Sequence, residues 1–187
     1  GFSLRDAVKA CQGVLLGRPE QFGTPSLYVS LLLHEFDRVY GDSLPQPAER
    51  NSYQKMVREV LKRFFKDMEA TTVIPWPHIC TAFTKPGDTN YGLGRGMPDI
   101  AAAVKELSAD FYATRDDGQH LVLFDESLKH LCRVSRLISL GHALLVGPGS
   151  VGKRSVARLA AFLCGFHDFG PPDFVTSPPA AHGGGRG

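Results

Sequence analysis

A glycine-rich segment at residues 147–153, with the sequence GPGSVGK, constrains the fold of this chain more than any other feature. It matches the pattern G-x-x-x-x-G-K, in which backbone N–H groups of a curled loop surround phosphate oxygens at the start of a helix. The pattern requires a buried strand before the loop and a helix after it. The apolar run 143–146 and the helical pattern of 154–164 provide this context. We therefore expect a strand, a phosphate-binding loop and a helix in this order.

The loop residues have different expected roles. Glycines leave the backbone free to curl, Pro148 removes one N–H donor, and Lys153 adds a point charge on the outer phosphates. The alternative is a glycine-rich turn in which the lysine occurs by chance. The residues predicted to bind a nucleotide are Gly147, Pro148, Gly149, Ser150, Val151, Gly152, Lys153, Arg154 and Ser155.

The residue after the lysine departs from the strict pattern, which has Ser or Thr where this chain has Arg154. A hydroxyl at that position normally binds Mg²⁺, and a guanidinium group has no acceptor atom to replace it. Ser155 is a weak candidate for the metal, because it lies one residue further round the helix. We therefore expect binding of ATP or ADP, with or without Mg²⁺, rather than efficient hydrolysis.

Hydrolysis also requires acidic residues at the end of a later strand. After Lys153 the chain contains only two acidic residues, Asp168 and Asp173, and no apolar strand that ends in an acidic pair. We therefore expect the isolated chain to be inactive as an ATPase.

Apolar residues recur at helical spacing through much of the chain. Ser3 and Ser26 are the expected N-caps of the first two helices. The helix at 51–67 has a basic polar face and is expected to pack on its neighbours rather than on a membrane surface. The predicted helices are 3–16, 26–40, 51–67, 98–111, 126–138 and 154–164.

The composition changes along the chain and indicates three regions. Residues 1–115 are expected to be mostly helical, and residues 116–169 open an α/β unit that contains the loop. Residues 170–187 are rich in proline, glycine and alanine and are expected to be disordered. The predicted fold class is therefore mostly α, then α/β.

Charge and composition exclude several classes of partner. A formal net charge of +2 is too small to indicate binding to nucleic acid or to an anionic membrane. No apolar run is long enough for a membrane helix. The four cysteines are far apart, without a C-x-x-C pair, and are expected to be reduced thiols rather than zinc ligands.

Several stretches, in collinear order over residues 2–166, resemble axonemal dynein heavy chains at the junction between the third and fourth AAA+ modules of the motor ring. The segments 40–42 and 64–65 are most similar to outer-arm chains of the beta type. The matching stretches are FSLRD at 2–6, QG at 12–13, LHE at 33–35, RVYGD at 38–42, LVLFD at 121–125, His130 and Arg133, GHALLVG at 141–147, and RLAAF at 158–162.

The resemblance implies that residues 1–115 form the helical lid of the third module and its connection, and that 116–169 begin the fourth module. Arg5 would then be a lid arginine that senses phosphate in the site of the third module. The alternative is a salt bridge of Arg5 with Asp6 or Asp37. His34, Glu35 and Arg38 are expected to be packing and interface residues.

The family is an ATP-driven microtubule motor of cilia and flagella, so the resemblance implies a fragment of such a motor. Its expected partners are the other ring modules and, through the parent protein, intermediate chains, light chains and microtubules. The expected location is the cytoplasm, the cytoskeleton and the ciliary axoneme. Two alternatives are a non-hydrolysing, nucleotide-stabilised scaffold and a free-standing NTPase. The low-complexity sequence after Phe166 departs from the family and suggests a truncated or mis-spliced gene product, or a damaged copy of the gene.

Overall fold

The computed structural model describes residues 2–65, 78–85, 89–113, 121–149 and 151–166. Most of these residues are helical, as the sequence predicted, and they include one small antiparallel strand pair that the sequence did not predict. The elements are α1 (Leu4–Val14), α2 (Pro25–Phe36), a π-helix (Asp37–Gly41), α3 (Pro47–Phe64), β1 (Cys80–Thr81), β2 (Gly92–Leu93), α4 (Met97–Ala113), α5 (Asp125–Leu140) and α6 (Lys153–Leu163).

The first two helices begin at polar caps. The predicted cap Ser3 is confirmed, and its backbone N–H donates to the carboxylate of Asp6 at 2.9 Å. The predicted cap Ser26 is wrong. Helix α2 is capped by Thr24, whose hydroxyl accepts from the N–H of Leu27 at 3.4 Å. Pro25 occupies the first helical position, where its missing N–H costs nothing and its fixed φ favours the helix.

The sequence predicted that α2 continues as an α-helix to Tyr40. Instead, the helix changes to the π-helix at Asp37. The wider turn ends at Gly41. A Cβ atom at this glycine would lie 2.3 Å from Oδ1 of Asp37, so a larger residue cannot fit there without a shift. After the turn, Asp42 accepts a hydrogen bond from Arg133 of α5 at 3.0 Å, and its other carboxylate oxygen lies 3.1 Å from Arg38.

The main hydrophobic core lies mostly in the second half of the chain and holds its helices together. It is formed by buried apolar side chains of α4, α5 and α6, together with Phe83. A smaller cluster packs α2 against the strand pair through Phe22, Leu31, Cys80 and Tyr91. Helix α5 packs on α6, α4, β1 and α1, so it connects the two clusters.

Helix α3 is amphipathic as predicted, but it packs less tightly than expected, since none of its residues is buried. Met56 is 54% exposed and Val60 is 47% exposed. Its apolar side faces α2 and the π-helix across a groove of about 440 Å³. The groove is lined by Phe2, Val29, Leu32, Leu33, Phe36, Tyr40, Tyr53, Met56, Val57, Val60, Leu61 and Phe65.

The predicted buried strand at 143–146 is wrong. The run has no strand structure, and the side chains of Leu144 and Val146 are 87% and 85% exposed. A buried parallel strand needs a hydrogen-bonded neighbour and a covered face. In the described part of the chain the only strand pair is β1–β2, which is antiparallel and lies elsewhere.

The predicted disordered region 170–187 and the region boundaries near residues 115 and 169 lie outside the described residues. Among the helices that the structure describes, none is long and apolar enough to cross a membrane.

Candidate nucleotide-binding site

Helix α6, which follows the glycine-rich loop, is firmly anchored. One side of the helix is buried in the main core against α4 and α5, through Val156, Leu159, Ala160 and Leu163. The helix is followed by its C-cap Cys164 and then by Gly165, which has a φ of 75°. The N–H of Gly165 bonds Phe162 O, and the N–H of Phe166 bonds Ala161 O, both at 2.9 Å, which satisfies the last carbonyls. The start of α6 therefore has a fixed position.

Gly152 connects the loop to α6. It is the N-cap residue and adopts the left-handed conformation, with φ 76° and ψ 15°. Glycine adopts this conformation without the steric cost that other residues have. The site of a Cβ atom on Gly152 lies 3.6 Å from Cδ1 of Leu121, so the segment before α5 passes beside this turn. The turn aims the first N–H groups of α6 into the loop, where they have no partner within the helix.

Lys153 reaches back across the loop. Its Nζ atom donates a hydrogen bond to the carbonyl of Gly147 at 2.9 Å and a second one to the carbonyl of Pro148. The ammonium group therefore lies within the curve of the loop, next to the helix N-terminus. Gly149 has open space where a Cβ atom would lie, so this side of the loop is accessible.

The loop and α6 carry only positive charge. Residues 141–166 contain no aspartate or glutamate, whereas Lys153, Arg154 and Arg158 are all cationic. The partial positive charge of the helix N-terminus adds to theirs. The residues present therefore fit a polyanion such as the phosphate chain of a nucleotide.

The same residues do not fit Mg²⁺. The ion requires oxygen ligands in near-octahedral geometry, and the side chain of Arg154 offers only N–H donors. Ser155 is half-buried and lies one residue further along α6. No group of three or more candidate ligands occurs among the described residues. Ser150, the other hydroxyl of the loop, lies outside them.

Arg5 is separate from the loop. It lies exposed on the first turn of α1, and within the described residues no hydrogen bond or ion pair joins it to residues 147–155. In the part of the chain that the structure describes, Arg5 forms neither of the two alternative salt bridges. Asp6 instead accepts from Ser3 and Lys9, and Asp37 pairs with Arg38 at 2.6 Å.

A second polar cluster lies where the N-terminal helices meet α5. Glu35 of α2 is fully buried, and its Oε2 accepts from Nε of Arg136 of α5 at 2.7 Å. The hydroxyl of Tyr91 donates to Oε1 of Glu35 at 2.7 Å, and burial raises the pKa of Tyr91 well above its ordinary value. Glu35 was predicted as a packing residue, whereas sequence reasoning missed Arg136 and Tyr91.

Gly13 and His34 complete the surroundings of Glu35. A Cβ atom at Gly13 would lie 1.6 Å from Oε2 of Glu35, so only glycine leaves room for the carboxylate. His34 is also buried, and its Nδ1 lies 2.8 Å from the carbonyl oxygen of His78. Burial, with a smaller effect of the nearby Arg38 charge, lowers the pKa of His34 to about 3. The imidazole is therefore neutral at physiological pH.

Two regions of the chain match family models. Residues 119–171 match the model described as P-loop containing dynein motor region D4, and residues 1–74 match the AAA+ lid domain. The first region contains the glycine-rich loop and α6. The second contains α1, α2, the π-helix and α3.

Similar proteins include the ciliary dynein beta chain of Tripneustes gratilla, with 34% identity over 171 residues, or 90% of this chain and 4% of that protein. The alpha chain of the flagellar outer arm of Chlamydomonas reinhardtii is 34% identical over 172 residues, 88% of this chain and 4% of that protein. Dynein axonemal heavy chain 17 of Homo sapiens is 33% identical over 171 residues, with coverages of 90% and 4%. The chain therefore spans about 4% of the length of these curated relatives.

Proposed function

Because this chain belongs to the axonemal dynein heavy chain family, we propose that it is a segment of an ATP-driven motor ring that moves along ciliary microtubules. Residues 1–115 supply the helical lid of the third module, and 116–169 open the fourth module. The ring acts in the cytoskeleton of the ciliary axoneme. Its partners are the neighbouring ring modules, the intermediate and light chains of the motor, and microtubules.

Within this segment, we propose that residues 147–155 bind the phosphates of ATP or ADP. The observation that carries this proposal is the position of Lys153, whose ammonium group lies inside a glycine-rich loop at the N-terminus of an anchored helix. Backbone N–H groups bind the phosphate oxygens, and Lys153 exchanges its carbonyl partners for the outer phosphates. Arg5, on the lid, acts at the site of the neighbouring module.

The experiment compares the wild-type chain with Lys153→Ala in titrations with ATP and ADP by isothermal calorimetry. The loss of one charged hydrogen bond should weaken binding by about 1.5–3 kcal/mol, or roughly tenfold to a hundredfold. Lys129→Ala is the matched control, because Lys129 lies on α5 and pairs with Glu126. Equal affinity of wild type and Lys153→Ala, both folded by circular dichroism, would show that the loop is only a turn.

A second candidate function is a scaffold that is stabilised by nucleotide but does not hydrolyse it. The absence of any carboxylate from residues 141–166 favours this role for the isolated segment. Turnover distinguishes the two functions, because a scaffold raises its melting temperature with ATP and releases no phosphate. The third candidate, a free-standing NTPase, would need an acidic residue beside the loop, and residues 141–166 contain none.

A further inference from the structure

We propose that the loop at 147–155 takes its nucleotide without a divalent metal ion, and that Arg154 supplies the positive charge which the metal would otherwise bring. The inference rests on the proposed nucleotide binding and concerns the form of the ligand. Its chemical class is a metal-free nucleoside di- or triphosphate.

The first step of the argument is the chemistry of the side chain beside the lysine. A hydroxyl there can accept a metal ion, whereas the guanidinium group of Arg154 has five N–H donors and no acceptor. The planar group of an arginine donates two parallel hydrogen bonds to phosphate oxygens. Arg154 is exposed on the first turn of α6, the turn whose N–H groups face the loop. The substitution therefore changes a metal ligand into a phosphate ligand.

The second step concerns Ser155, the hydroxyl nearest to the vacated position in sequence. An α-helix turns by about 100° per residue, so Ser155 points along a different side of α6 from the residue after the lysine. It is half-buried, next to the core residue Val156. A metal ion that is bound by Ser155 would not lie where the outer phosphates meet Lys153.

The third step is the local charge. A protein site for Mg²⁺ usually supplies one or two carboxylates, and residues 141–166 supply none. A divalent cation would instead lie beside Lys153 and Arg154 and be repelled by both. The segment that passes the loop leads into Asp125 and Glu126, at the start of α5, and Glu126 already pairs with Lys129 at 2.7 Å.

The test measures the dissociation constants of ADP and ATP for the 187-residue chain by calorimetry, once with EDTA and once with excess Mg²⁺ at matched ionic strength. We expect the two constants of the wild type to agree within about threefold. Arg154→Thr should bind about tenfold more weakly in EDTA, because a charged hydrogen bond is lost, and should recover affinity when Mg²⁺ is added. Arg154→Lys keeps the charge and should remain independent of the metal.

Each other outcome decides a different point. If Mg²⁺ tightens nucleotide binding to the wild type by tenfold or more, the inference is overturned and the proposed function still stands. Loss of that gain in affinity in Asp125→Asn would then identify Asp125 as the metal ligand. Arg154→Thr that behaves like the wild type in both buffers shows that Arg154 does not replace the metal. Absence of nucleotide binding in both buffers overturns the proposed function itself.

Discussion

At the scale of single residues, the carboxylate of Glu35 is the point where α1, α2, the β2 region and α5 meet. Gly13 leaves space for it, Tyr91 donates to one oxygen, and Arg136 donates to the other. Tyr91 and Arg136 are both distant from Glu35 in the sequence, and Arg136 lies 101 residues away. A buried charge depends on its partner, because it has lost the water that would otherwise stabilise it.

We therefore predict that Arg136→Ala lowers the free energy of unfolding by about 3–5 kcal/mol, because it leaves the charge of Glu35 buried without a counter-ion. The measurement is urea denaturation followed by circular dichroism. Arg133→Ala is the control on the same helix. Arg133 pairs with Asp42 at the surface, where its side chain is 38% exposed, so the loss should be below about 1 kcal/mol. Equal losses for both variants would contradict the special role of the buried pair.

The buried imidazole of His34 predicts a dependence of stability on pH. Its pKa is about 3 in the folded chain, against an ordinary value of 6.5. Below pH 6.5 the unfolded chain therefore takes up a proton that the folded chain does not. The free energy of unfolding should fall by up to about 1.4 kcal/mol per pH unit between pH 6.5 and the folded pKa, and His34 should add no slope above pH 7.

The check is a comparison of urea denaturation at pH 7.5, 6.0 and 5.0. His34→Gln should reduce the slope below pH 6.5, because glutamine does not titrate. A slope that is the same in His34→Gln and wild type would contradict the assignment.

Residue pairs of this kind are only partly visible in a sequence. Arg136 follows Leu128 and Cys132 at spacings of four, so it lies on the buried face of α5, and a charge on such a face indicates a buried partner. The periodicity of one helix does not identify that partner, because the pairing with Glu35 depends on how α2 and α5 pack. Ser3 differs in this respect, since it was predicted as the N-cap of α1, and a cap depends only on residues of the adjoining helical turn.

At the scale of elements, α3 and α5 show how similar amphipathic patterns can have different degrees of burial. Val134 of α5 is 1% exposed in the main core, whereas Val60 of α3 is 47% exposed at the apolar groove. We predict that Val134→Ala costs about 1.5–3 kcal/mol of unfolding free energy and that Val60→Ala changes it by less than about 0.5 kcal/mol. Chemical denaturation of both variants tests this, and a larger loss for Val60→Ala would show that α3 is part of the core.

The sequence predicted helices better than it predicted the strand. Helices α4, α5 and α6 form their hydrogen bonds within one segment, so apolar spacing was sufficient to locate them. The run 143–146 has the composition of a buried strand, but strand hydrogen bonds come from another segment. The loop was identified by its glycines and lysine, whereas the contact of Lys153 with the carbonyls of Gly147 and Pro148 required the structure.

At the scale of the whole molecule, the chain combines a helix α6 anchored in the main core with a loop region that lacks acidic groups. We predict that the purified 187-residue chain hydrolyses ATP no faster than its Lys153→Ala variant. The reason is that residues 141–166 contain no carboxylate that could orient a water molecule for attack. A phosphate-release assay measures both rates. A wild-type rate clearly above that of Lys153→Ala would show that an acidic group elsewhere in the chain completes a catalytic site.

The exposed run 143–146 has a thermodynamic consequence for the loop that it precedes. Any strand that pairs with this run would cover Leu144 and Val146, and it would also restrict the path of the backbone into Gly147. The conformational entropy lost in that restriction would then no longer have to be lost when a nucleotide binds. By linkage, the nucleotide would in turn strengthen the strand pairing by the same factor. If the loop binds nucleotide as proposed, the effect of strand pairing on phosphate affinity and the effect of the nucleotide on strand pairing therefore report the same coupling free energy.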